Sequence, residues 1–451
     1  MLIIRDGLVI PGDGETVIDG GSVYIEGDRI VEVTAGPARL GGTGDVVIDA
    51  RGAVVFPGLV NTHAHACTVG PRFASGSPGV SLEEALQNLD RHLTFGTTTL
   101  INVDGFVLPD EVETVQRVHP ARIVNGTCHT PVNFQAALKA DGTGLTDRHL
   151  SATAEEMVKA GAVLIGEIGA GHTLGGGGQD YMFIPMRVRE RTGVQLEPRQ
   201  AQALKWAVLG RKLDPAAYDR GKVAAVLAEI GLAGKLSEEE ARDLIYESVL
   251  PSFKLGLEGF SEAGALARRL GLPILVHNSA PSWEATRSLA ETLGPLLIAG
   301  HTNHTTFTVE ESVAAAQELR RLGSLIEVCT LDAFGARRLV ETRDHINALL
   351  ELELVDIWAT DYAGGYWDCQ LVGLEAVVRD GRLSLAKAIA LAARNPARAV
   401  PGLRDRGELA PGKLADVVVA PVDQLSRVRY VIVGGKVVYK DGQINKPSSH
   451  S

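Results

Sequence analysis

The sequence predicts an α/β fold: a (β/α)8 barrel, the TIM-barrel architecture, with a small β-sandwich domain built from both termini and a helical insertion after the fourth barrel strand. Three observations in the 451 residues lead there. Apolar segments of strand length alternate with amphipathic helical ones, a rhythm that implies a parallel sheet, and it repeats eight times. Polar and cation-binding side chains gather just past the C-terminal ends of those strands, where barrels assemble their sites. Short strands punctuated by glycine occur only at the two ends of the chain.

Taken in order, the first fifty residues read as strands, "LIIRDGLVIPG", "GSVYIEGDRIVEVT" and "DVVIDARGAVV", with D-G and E-G-D turns between them. The same texture returns in "GELAPGKLADVVVA" and "RVRYVIVGGKVVYKDGQ". Residues 1–56 and 405–445 are therefore expected to form one small domain that brings the termini together. Residues 57–404 are the expected barrel. Its strands are "VVFPGLVNTHAHA", "TTTLINVD", "ARIVNGTCHT", "AVLIGEIGAGH", "GLPILVHNSA", "LLIAGHTNHTT", "GSLIEVCTLD" and "VDIWATDYAGG". Helical patterns such as "EESVAAAQELRRLG" separate them.

One interval is too long for a single crossover. Between strands four and five it holds a glycine run, "LGGGGQDY", and polar helical stretches around Arg199 to Arg211 and Ser237 to Leu250. The run lacks the Lys-Ser/Thr of a phosphate loop, so it reads as a flexible connector into an insertion at about 174–255. Because the insertion leaves the C-terminal end of a strand, it is expected to cover the mouth of the site.

In an extended strand residues i and i+2 share a face, so His63 and His65 of "NTHAHA" point the same way. Strand four ends on Glu167, strand five on His277, strand six on His301 and strand eight on Asp361. Any one of these alone is ordinarily a hydrogen-bonded core or loop residue. Together, four imidazoles and two carboxylates at five barrel ends describe a metal site. The donor set, without thiolate, suits zinc first and iron or manganese next. Six groups exceed the needs of one four-coordinate ion and suffice for two divalent metal ions. His63, His65 and Asp361 would hold one, and His277 and His301 the other, with Glu167 as the bridge. Asp361 would also carry the proton to the leaving nitrogen. Weaker candidates for substrate contact are His304, His172, His129, Tyr362 and Trp367; His304, three residues past His301, is also the alternative strand-six ligand. Arg187 and Arg189 are candidates for holding a substrate carboxylate.

"PGLVNTHAH", the acidic residue on strand four, the single histidines on strands five and six and the "TD" of strand eight resemble the amidohydrolase superfamily. "GELAPGKLADVVV" and "VIVGGKVV" resemble the small β domain that many members carry. The resemblance implies hydrolysis at a carbonyl or related carbon by hydroxide held between metal ions. It carries ligand roles onto His63, His65, His277, His301 and Asp361. Many binuclear members bridge their ions with a carboxylated lysine on strand four, but "VLIGEIG" has none, and Lys159 precedes the strand. The deaminase branch places a Glu three residues after the strand-five histidine, where this chain has Ala280. The pattern is most similar to enamidase-like members, which open cyclic amides. The expected activity is hydrolysis of a carbon–nitrogen bond in a cyclic amide; the alternatives are a hydrolase of linear amides and a non-catalytic binding relative.

A net charge of −11 argues against nucleic acid and anionic membrane as partners. No apolar run reaches the length of a membrane span, and the N-terminus does not read as a signal peptide. Cys67, Cys128, Cys329 and Cys369 are scattered without a C-x-x-C, as buried thiols in a reducing cytoplasm would be. The expected partners are a small-molecule substrate and further copies of the chain.

Overall fold

A computed structural model describes residues 1–36, 42, 44–331, 333–334, 339, 342–363 and 369–446. Eight parallel strands form the barrel: Leu59–Ala64, Thr97–Asn102, Arg122–Thr127, Leu164–Ile168, Ile274–His277, Leu297–Gly300, Leu325–Cys329 and Ile357–Ala359. They pair in chain order from the first to the eighth. The last meets the first through the bridge between Ala64 and Tyr362, where His65 N donates to Tyr362 O (2.8 Å) and Asp361 N to His63 O (3.0 Å). Closure of the barrel thus runs through the backbone of three expected ligand residues.

The barrel helices form where apolar residues recur every three or four positions and a hydroxyl caps the first turn. In Leu82–Thr94 the Ser81 side chain accepts from Glu84 N, and Ala85, Asn88, Leu89, His92 and Leu93 turn inward. In Val309–Arg321 the cap is Thr308, and Ser312, Ala315, Ala316 and Leu319 are buried. Among the described residues no helix is long and apolar enough to cross a membrane.

Strands from both termini build one nine-stranded sheet. Its junction is the antiparallel pairing of Ala53–Pro57 with Val417–Pro421, which places the last strand before the barrel beside the first strand after it.

The long interval after strand four folds on its own core, in which Ile184, Val188, Leu204, Val208, Val223, Leu227, Leu244 and Val249 meet. The helical stretch starting at Ser237 does not stop near Leu250. It continues as one 33-residue helix, Glu238–Leu270, with Pro251 inside it and Gly271 left-handed at its end. Its second half packs against the helix Pro131–Ala140 and strand five, so insertion and barrel share one rod. The glycine run, expected as a flexible connector, is packed and tied instead. Lys205 Nζ, fully buried, donates to Gly175 O (2.5 Å) and to Asp180 Oδ2 (2.8 Å). Burial of Asp180 pushes its carboxyl up to about 6 despite the lysine beside it.

Candidate metal and active site

The C-terminal strand ends open into a cavity of about 610 Å³. His65, Glu167, His277, His301 and Asp361 line it from the barrel, and Gln195, Leu196, Glu197 and Pro198 reach it from the insertion. Gly177 and Gly178 also line it. A Cβ on Gly178 would lie 2.3 Å from His172 Nδ1, and one on Gly176 would lie 2.9 Å from His277 Nε2. Only a run without side chains closes over both imidazoles.

Glu167 is the centre of the arrangement. Its Oε1 lies 3.0 Å from His277 Nδ1 and 3.0 Å from His301 Nε2. Its Oε2 lies 3.5 Å from His63 Nε2 and 3.5 Å from His65 Nε2. Asp361 Oδ1 faces the same two nitrogens, at 3.4 and 3.5 Å. One carboxylate oxygen therefore serves the strand-five and strand-six histidines, and the other serves the pair from strand one.

Two residues that the sequence did not single out fix the strand-one imidazoles. Glu327, in the middle of strand seven and fully buried, sits 2.8 Å from His63 Nδ1 and also accepts from the Thr62 hydroxyl. Asp104, just past strand two, sits 3.0 Å from His65 Nδ1 and takes the backbone N–H groups of Ala66 and Phe73. A carboxylate accepts only, so each Nδ1 carries its proton, and a ring that holds a cation is neutral and presents the lone pair of Nε2 to it. Those lone pairs face the oxygens of Glu167 and Asp361. Carboxylates converging on these nitrogens call for positive charge, which a proton on the imidazole or a cation in its place supplies, and His63 Nε2 is buried and without a hydrogen-bond partner.

The electrostatics divide along the same line. Burial alone would push His63 and His65 down. For His63 the charges of Glu167 and Asp361 outweigh it, and for His65 the bonds to Asp104, Asp361 and Glu167 do, so both rise well above the ordinary value. On the other side burial, with His301 adjacent, lowers His277 to about 4, and burial beside His277 and His301 holds His304 well below its usual value. Burial would raise Glu167, but the charge of His63 and bonds from His277 and His301 hold it well below the carboxylate range. Asp361 is lowered in the same way: burial opposes, and His63 and His65 prevail. Ligand atoms of His63, His65 and Glu167 lie within 4.8 Å of one another, as do those of His277, His301 and His304, and those of His63, His301 and Asp361. The donor set fits divalent cations.

The backbone is strained here. Phe73 (φ 58°), His301 (φ 33°) and Asp361 (φ 52°) are left-handed non-glycine residues, and all three line the cavity. Such strain collects at functional sites, where surrounding bonds over-determine it. At Asp361 those bonds come from Thr360, whose hydroxyl donates to His63 O (3.0 Å) and accepts from Asn61 Nδ2 (2.7 Å).

The weaker candidates separate. His304 is on the cavity wall, its Nδ1 accepting from Thr306 N and facing the Thr306 hydroxyl at 2.8 Å. His172 is also on the wall, stacked on Phe73 at 4.0 Å, and burial lowers it to about 3. His129 is not on the wall. It turns away into an aromatic cluster between Phe106 and Phe134, with Nδ1 on the Thr127 hydroxyl. Tyr362 is not on the wall either. Asp361 takes the cavity side, so the next residue points outward, and the Tyr362 hydroxyl donates to Asn88 Oδ1 (2.7 Å) beneath the helix Leu82–Thr94. Trp367 lies outside the described residues. Arg187 and Arg189 do not line the cavity, and Lys159 is exposed at the end of its helix. All four cysteines are buried thiols outside any disulfide. Cys67 and Cys128 donate to the carbonyls of His65 and Glu167, and Cys329 lies on the cavity wall.

Glu327→Gln is expected to weaken metal affinity by about 10- to 100-fold, because the amide no longer dictates which His63 nitrogen carries the proton. Metal titration of the purified variant measures it; affinity equal to wild type would show that Glu327 does not orient His63.

A family model described as "Amidohydrolase family" matches residues 296–439. A 5′-deoxyadenosine deaminase from Methanococcoides burtonii is 48% identical over 66 residues, a segment that is 14% of this chain and 14% of that protein. Among solved structures, a β-aspartyl dipeptidase from Fervidobacterium islandicum AW-1, in complex with β-Asp-Leu dipeptide, superposes with a TM-score of 0.59 at 14% identity. The likeness covers 100% of this chain and 98% of that one. A D-hydantoinase (dihydropyrimidinase) from Thermus sp. gives a TM-score of 0.53 at 16% identity, over 99% and 96%. At these identities the likeness is one of fold.

Proposed function

We propose that the protein is a metal-dependent amidohydrolase that cleaves a carbon–nitrogen bond in a cyclic amide. The observation that supports this reading most is the division of the Glu167 carboxylate, one oxygen toward His277 and His301 and the other toward His63 and His65. His63, His65 and Asp361 would hold one divalent ion, zinc first, and His277 and His301 the second, with Glu167 shared. Such ions, when bound, make water nucleophilic at neutral pH and polarise a carbonyl.

The chain's own residues do the rest. Glu327 and Asp104 hold the strand-one imidazoles in one tautomer. The glycine run and Gln195–Pro198 line the cavity from the insertion side. Asp361, a carboxylate on the cavity wall, accepts a proton from the attacking water and returns it to the departing nitrogen.

The enamidase-like reading is supported by the strand-four carboxylate and by the absence of a lysine from the cavity wall among the described residues. A second reading, hydrolytic deamination, is favoured by the name of the Methanococcoides relative. Against it, Ala280 occupies the position three residues after His277, and its backbone N–H bonds the Thr306 hydroxyl. The test is a panel of lactams, cyclic imides, N-acyl amino acids and adenosine-type nucleosides, offered to zinc- and manganese-reconstituted protein. Ring opening of lactams or imides is expected. Ammonia release from nucleosides, with every amide untouched, would replace the cyclic-amide reading by the deaminase one.

A further inference from the structure

We propose that Arg72 receives a carboxylate on the substrate, so that the amide cleaved in this cavity is an anionic one. The inference rests on the hydrolase reading of the site and adds the class of its substrate.

Arg72 follows the first barrel strand on a loop that is tied down at both ends. Its backbone exchanges hydrogen bonds with Ser77 (2.8 and 3.0 Å), and Gly142 N and Gly144 N donate to Ser75 O and Gly76 O from a neighbouring loop. The next residue, Phe73, is left-handed and donates its N–H to Asp104 Oδ1 (2.9 Å). That oxygen also takes His65 Nδ1, so one carboxylate sets both an expected metal ligand and the residue beside Arg72. The backbone of Arg72 is therefore held in place relative to the imidazole of His65.

The side chain is half-buried on the cavity wall. Its Nε donates to Pro78 O (2.7 Å), which leaves the two terminal amino groups for another acceptor. Among the described residues no carboxylate lies within ion-pair distance of it. The cavity's central carboxylates, Glu167 and Asp361, are turned to the imidazoles. The guanidinium carbon is 5.6 Å from the centre of the Phe73 ring, which is 5.0 Å from the His65 ring. A small molecule whose scissile carbonyl sits at the histidines reaches Arg72 with a group a few bonds away. A planar fork of N–H donors matches a carboxylate in two parallel bonds, and such charge-assisted bonds are the strong ones. A neutral amide would leave that fork unused.

The experiment is calorimetric titration of the full-length, zinc-loaded protein with cyclopentanecarboxylate and, separately, with neutral cyclopentanecarboxamide. Wild type is expected to bind the carboxylate about tenfold to a hundredfold more tightly than the carboxamide. Arg72→Met is expected to lose that preference, and Arg72→Lys, which keeps the charge but not the fork, to recover part of it. Equal carboxylate affinity in wild type and Arg72→Met would overturn the proposal, because the anion would then be held by the metals alone. A wild type that does not prefer the carboxylate overturns it as well.

The binding result does not depend on turnover, so it decides Arg72 even if no amide is hydrolysed. Conversely, lactam opening with no carboxylate preference would keep the hydrolase reading and discard this one. In turnover, Arg72→Met should raise KM for a carboxyl-bearing lactam more than it lowers kcat.

Discussion

Asp361→Asn is expected to lower kcat by about a thousandfold, within the 10²–10⁴ range of a lost general acid–base group. The amide matches the carboxylate in shape, so the bonds that hold the strained residue remain available. Asp361 N still donates to His63 O, and Thr360 still ties Asn61 to the same carbonyl. What is lost is an acceptor for the proton of the attacking water, together with a negative oxygen 3.4 Å from His63 Nε2 and 3.5 Å from His65 Nε2. Metal content and kcat need to be measured on the same preparation. Retained metal with collapsed turnover assigns Asp361 to proton transfer. Turnover within tenfold of wild type would refute that role. Metal loss in proportion to activity would make Asp361 a ligand and nothing more.

The six ligand candidates stand out in the sequence because each lies at or near the C-terminal end of an apolar strand segment. His63 and His65 follow "VVFPGLVNT", and Glu167 interrupts "VLIGEIG" where a lysine was the alternative. The residues that orient them were not legible, although their signals were present. Asp104 ends "TTTLINVD", and Glu327 is a lone carboxylate inside "SLIEVC". Asp104 meets His65 from the neighbouring strand, 39 positions on, and Glu327 meets His63 264 positions on, across the seam where the sheet closes. Tyr362 could have been placed correctly from side-chain alternation, since its neighbour Asp361 faces the cavity. His129 could not, because its neighbours Phe106 and Phe134 come from other elements. The glycine run was misread because composition reports conformational freedom. The buried Lys205 and Asp180 that remove that freedom are supplied by tertiary structure.

Glu167→Gln tests the arrangement where every line of argument crosses. All four candidate-ligand histidines face this one carboxylate, two at each oxygen, so an isosteric change is felt on both sides at once. The amide nitrogen of glutamine donates where the carboxylate accepted, and one pair of imidazole nitrogens would then face a dipole of the wrong sign. The side chain also becomes neutral, which removes one of the three carboxylate charges facing His63 and leaves Asp361 and Glu327. The expected protein folds as wild type by circular dichroism and holds well under two divalent ions per chain after reconstitution. Its turnover should fall at least as far as that of Asp361→Asn. A loss confined to activity, with two ions still bound, would mean that the histidines and Asp361 suffice to hold them. Glu167 would then be an electrostatic partner of the imidazoles rather than a bridge, and the site would be two adjoining sites instead of one shared centre.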